Sequence, residues 1–214
     1  MKAAALAFCA FVLGLPLAGQ APASREQPIS PAQLKAAIDN LGKFDAPART
    51  TAARSVRRAP AAQAVPALME AAAGHADGYV RFRALVLLSG FNDPRARESM
   101  STALDDPNDR LRTVAYAYFE HNVERGMSAR LLKKLDKEDG EFVRPALTRA
   151  LAAYGDETPV QTALSGLVLR GQDLYRSAVI EALGDYHATY ALAPIVEVAK
   201  RDGPLQEDAI LAIG

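Results

Sequence analysis

The chain has 214 residues, half of them hydrophobic and 23% charged, enough for one domain with a sizeable core. Its 25 basic and 25 acidic residues cancel, which excludes a global field of the kind that draws proteins to nucleic acid or anionic lipid. Aromatic residues make up 7% and Trp is absent, a balance that suits closely packed helices better than sheets.

Residues 1–23 read as a secretory signal peptide. Met1-Lys2 supplies a positive charge, residues 3–18 are uncharged and almost wholly apolar, and Ala21-Pro22-Ala23 offers a small-residue cleavage pattern. The competing reading is a membrane anchor, but Gly14 and Pro16 interrupt a run that is already short for a span. Cys9, the only cysteine, falls in this segment, and bulky Phe8 before it departs from a lipoprotein box. The mature protein then has neither a disulfide nor a thiol nucleophile. The predicted location is periplasmic or secreted, with no membrane span after cleavage.

Residues 24–45 form a polar linker and a leading helix. Ser30 and Gln33 are three apart, as in a capping box, and Leu34, Ile38 and Leu41 supply the buried face. From residue 46 to 214 the chain repeats. Similar starts recur at Ala48, Val80, Leu111, Val143, Tyr175 and Leu205, a period of 30–32 residues. The second position is Arg49, Arg81, Arg112, Arg144, Arg176 and then Gln206. The fifth is Ala52, Ala84, Ala115, Leu147, Val179 and Ala209, and the ninth is Val56, Leu88, Phe119, Leu151, Leu183 and Ile213. First, fifth, eighth and ninth positions share one helix face. A second helix follows in each unit, with Val65, Leu68, Met69 and Ala72 matched later by Leu192, Ile195, Val196 and Ala199. Turn signals separate the helices at 91–94 and 154–157, and Asp45, Asp77 and Asp139 precede first helices. Gly171 reads as the exit of a second helix, and His187 as a loop residue in place of a turn glycine. The array thus holds about five repeats and an incomplete sixth. Ile210, Leu211 and Ile213 have no following cover in it, so either the sequence is a fragment or an additional domain or chain covers that end.

The segments 143–164, 79–104 and 174–186 resemble short HEAT-like repeats, the type also found in phycobilisome lyases. The resemblance spans residues 46–214. It implies an all-α fold, a right-handed α-solenoid of stacked antiparallel helix pairs with a period of about 32 residues, whose second helices line the concave surface. The tetratricopeptide and ankyrin signatures are absent. On the implied concave face, the columns opposite the buried one give a candidate binding surface: Glu70, Ser99, Thr102, Arg130, Lys133, Thr162, Ser165 and Glu197.

Catalytic motifs are missing. No metal-ligand spacing, nucleophile elbow or phosphate loop is present, so no catalytic residue, metal or cofactor is assigned. Deoxyhypusine hydroxylases use similar repeats with His-Glu pairs on iron, but here the one adjacent pair is Glu120-His121, in reverse order. Both read as exposed residues near a helix end. Asp105-Asp106 and Glu138-Asp139 read as solvated loop carboxylates, and residues 130–139 as a second helix with a local basic patch. Tyr118 replaces an alanine column and reads as a bulky residue compensated by small neighbours. The Arg column reads as one fastener per unit, bonding the preceding turn. The predicted function is an exported, non-catalytic repeat scaffold that binds an unknown protein partner. The alternative is an enzyme of the bilin-lyase or metal-dependent hydroxylase kind. Nucleic-acid binding, as in HEAT-like DNA glycosylases, is disfavoured by the charge balance and the export signal.

Overall fold

A computed structural model describes residues 27–138, 140 and 142–214. The predicted signal peptide with Cys9 lies outside the described residues, as does Asp139. Among the described residues the regular structure is entirely helical. The helices are α1 (Pro31–Asp39), α2 (Ala46–Arg58), α3 (Ala61–Gly74), α4 (Gly78–Ser89), α5 (Ala96–Ala103) and α6 (Asp109–His121). They continue as α7 (Met127–Leu132), α8 (Val143–Ala152), α9 (Thr158–Val168), α10 (Asp173–Asp185), α11 (Leu192–Ala199) and α12 (Gln206–Ile213).

Local chemistry sets many of the boundaries. Ser30 Oγ accepts from the Gln33 amide at 3.3 Å while Gln33 Oε1 accepts from the Ser30 amide at 3.0 Å, a complete capping box. Asp45, Asp77 and Asn108 each cap a first helix through the side chain. Past α9 the backbone turns left-handed at Gly171, φ 110°, where glycine is free of Cβ strain. His187 is in the same region at φ 48° and stands exposed in the loop after α10.

First helices α2, α4, α6, α8, α10 and α12 pack side by side in one layer. The second layer holds α1, α3 and α5, then α7, α9 and α11. Between the layers runs one core. The fifth column is buried in every unit, and Val56, Leu88, Phe119, Leu151 and Leu183 of the ninth column are all buried. Each such Leu or Val contributes roughly 1.5–3 kcal/mol. Ordering one residue costs roughly 1–2 kcal/mol. A single pair therefore cannot stand alone, and stacking supplies the missing burial. The closest antiparallel packing joins each second helix to the next first helix: α1 to α2, α3 to α4, and α11 to α12. A periodic sequence has no intrinsic unit boundary, and by packing the twelve helices form six hairpins.

The second-helix columns need two corrections. Leu192 is 47% exposed, and Val198 takes the buried place beside Ile195. A 3₁₀ turn, Thr189–Ala191, sets the entry to α11 and rotates Leu192 out of the core. In the third unit the second helix stops at Leu132, and the chain continues through turns toward Glu138.

Candidate binding faces

The Arg column is committed to the scaffold. The last carbonyls of a helix have no intrahelical donor. Arg81 Nε donates to the Ala72 carbonyl at 3.0 Å, and Arg176 Nε to that of Val168 at 2.9 Å. Where the column changes to glutamine, Gln206 makes the same bond to the Ala199 carbonyl at 3.2 Å. Arg49 serves the turn carbonyls of Lys43 and Phe44. Arg144 instead lays its guanidinium 4.0 Å above the ring of Tyr175 in the next unit.

The loop carboxylates are not free solvated charges. Asp106 pairs with Arg81, and Asp105 with Arg130 and Lys134. Lys134 foremost holds the Asp105 carboxyl below its ordinary range, with Arg130 adding to it. Asp105 therefore engages two of the basic residues of the patch expected over 130–139, Arg130 and Lys134. Glu138 is 5% exposed. It accepts two 2.8 Å bonds from Arg112 and one of 3.1 Å from the Tyr116 hydroxyl. Burial pushes its carboxyl up, but Arg112 and Tyr116 outweigh that and hold it below 4.5.

Glu120 also departs from the exposed position expected of it. Its side chain is 9% exposed, 3.3 Å from Arg149 Nε, and accepts from the Tyr186 hydroxyl at 3.0 Å. Burial foremost, with Glu120 nearby, pushes the Tyr186 phenol up to about 12. Arg149 reaches on to Asp185 at 2.6 Å and so ties three first helices together. His121 is exposed, its Nδ1 2.9 Å from the Ala117 carbonyl. Tyr118 is half-buried, edge-on to Phe119 with ring centroids 5.3 Å apart. Tyr154, which reads as a turn residue, is buried. Its hydroxyl accepts from the Glu124 amide at 3.1 Å and donates to the Phe119 carbonyl at 3.3 Å.

With these groups taken, the second-helix face can be described. Glu70 lies on α3, Ser99 and Thr102 on α5, Arg130 on α7 with Lys133 just past it, Thr162 and Ser165 on α9, and Glu197 on α11. Glu70, Thr102, Lys133, Thr162 and Glu197 are exposed; Ser99, Arg130 and Ser165 are partly covered. Arg130 is drawn into the scaffold, donating to Ser101 Oγ at 2.6 Å and pairing with Asp105. Glu197 pairs with Arg201, and the Thr162 hydroxyl is turned back to the Thr158 carbonyl. Of the eight, Glu70 borders a concavity. Between α1 and α3 runs a groove of about 630 Å³. Leu34, Ile38, Pro66 and Ala67 line it, and Lys35, Asp39, Glu70 and His75 stand along it. His75 Nε2 is 3.3 Å from Asp39 Oδ1, bridging the two helices, and Lys35 pairs with Asp39 at 2.9 Å. The sequence reading places Leu34 and Ile38 in the core of a leading helix. That they also floor a groove follows from α3 lying beside α1.

A family model described as HEAT repeats matches residues 34–119, from α1 into α6. Residues 34–119 are HEAT-like repeats. The same columns continue the helical repeat to residue 214. The match is to HEAT repeats at large and does not single out the phycobilisome-lyase type. No curated protein matches the chain. Among the described residues no group of three or more His, Cys, Asp or Glu is placed to hold a metal ion. No described helix is long and apolar enough to cross a membrane.

Proposed function

We propose that this protein is an exported, non-catalytic scaffold that binds a protein partner along its second-helix face, anchored in the groove between α1 and α3. The groove carries the reading. It combines an apolar floor with a polar rim, the arrangement used when an amphipathic helix or apolar side chains dock into a helical surface. The varied polar positions on α5, α9 and α11 extend that surface toward the area of a standard interface, about 1,200–2,000 Å². Export rests on the signal-peptide layout of residues 1–23.

Two experiments test it. A photo-reactive residue in place of Ala67, in the groove, is expected to cross-link one defined protein in the native compartment. The same residue in place of Ala117, exposed on the first-helix layer, is expected to give no such product. Equal labelling from both sites sinks the assignment of the face. For export, residues 1–30 are fused to a reporter enzyme active only outside the cytoplasm. An inactive fusion removes the localisation while leaving the binding face untouched.

A further inference from the structure

Helix α2 departs from its neighbours in charge. Its thirteen residues hold four arginines and no carboxylate. Arg49 is held by turn carbonyls. Arg54, Arg57 and Arg58 are exposed, and their i, i+3 and i+4 spacing gathers them on the face opposite buried Ala52, Ala53 and Val56. None of the three makes an ion pair among the described residues, whereas Arg81, Arg97, Arg112 and Arg149 each hold a carboxylate at least 25 residues away in the chain. The helix dipole favours cations in the last turn, which accounts for the position of Arg57 and Arg58. It does not use their five N–H donors each.

Beside this cationic face is a dimple of mixed lining, with apolar side chains in part of its wall. Arg57 borders a depression of about 400 Å³ whose other walls are Val86, Leu87, Gly90 and Phe91 of the neighbouring unit. Val86 is 37% exposed there. Carboxylate-binding donors therefore adjoin a hollow that accepts an apolar side chain. Arg54 to Arg58 extends only about 6 Å along the helix. The chain as a whole is uncharged. A patch this short on a neutral molecule suits a few carboxylates better than a continuous polyphosphate.

We infer that the exposed face of α2 and the α2–α4 dimple form a second interaction surface, which takes an acidic polypeptide segment bearing an apolar side chain. The apolar side chain fills the dimple between Val86 and Phe91. Carboxylates on either side of it face Arg54, Arg57 and Arg58. The surface lies on the first-helix layer, so it operates independently of the α1–α3 groove.

The test uses the full chain and a labelled oligoglutamate peptide with one central phenylalanine. Saturable binding that weakens as salt is added is expected. R54E/R57E/R58E is expected to weaken it at least about tenfold, and R54K/R57K/R58K to retain most of it. Replacing the peptide's phenylalanine with serine is expected to cost about tenfold or more, an arm that needs no protein variant. Circular dichroism checks that the charge-reversed protein remains folded. The inference is overturned by no saturable binding at low salt, by unchanged binding to R54E/R57E/R58E, or by equal binding of the serine peptide. Tighter binding of duplex DNA, or of phosphatidylglycerol vesicles, than of the phenylalanine peptide overturns it as well.

Discussion

At the scale of single residues, the Arg112–Glu138–Tyr116 cluster concentrates the electrostatic stakes. Glu138 is removed from water, so its charge survives only because Arg112 and Tyr116 supply three bonds. Glu138→Gln takes from Arg112, itself only 16% exposed, its buried carboxylate and leaves it the more exposed Asp109. The expected loss is about 3 kcal/mol at pH 7, the scale for breaking one side of a buried pair. The sign with pH follows from the lowered carboxyl. A folded-state value below 4.5 means the stabilisation is complete above 4.5 and disappears as pH falls through the folded value. Urea denaturation of both proteins should therefore show a gap at pH 7 that narrows in acid. A gap that stays constant with pH excludes the charge as its source.

At the scale of elements, packing between first helices decides stability. Leu151 is fully buried on α8. Leu151→Asp puts a carboxylate into that core, with an expected loss above about 4 kcal/mol and a collapse of the helical signal in circular dichroism. An unchanged melting curve contradicts the column assignment. At Gly184 one helix backbone meets another: a Cβ there would lie 2.8 Å from Ala212 Cα and 2.9 Å from its Cβ. Here glycine is required by contact, not by backbone angle. Gly184→Val is expected to push α12 off α10 and to cost about 1–3 kcal/mol in urea denaturation. A variant as stable as the parent shows that α12 adds little to the fold.

At the scale of the whole molecule, a one-dimensional array distributes stability by neighbours. Inner first helices are held on both sides by packing and by ties such as Arg149 to Glu120 and Asp185. On α12, by contrast, Ile210, Leu211 and Ile213 are 55%, 73% and 43% exposed. Amide hydrogen exchange is expected to be slowest in α6 and α8 and fastest in α12. Uniform protection along the array refutes this gradient.

The sequence alone determined most of the helices and the first-helix columns that meet in the core, because these rest on spacings within one turn and one repeat; which helices pair as hairpins was decided by the packing. The Arg column was legible as a fastener for the same reason: its partner carbonyls lie only 5–9 residues upstream. The fates of Glu120, Glu138 and Tyr154 were not legible. Their partners stand 22 to 66 residues away, and which side chains meet at that range depends on how the units rotate onto one another. The surfaces depend on the same stacking. Glu70 was recognisable as a polar position on a second helix, but only α1 lying beside α3 makes a groove along it. The arginines of α2 were visible in the sequence, yet the hollow next to Arg57 exists because α4 packs there. Periodicity encodes the unit, and the contact geometry between units decides where the molecule has something to hold.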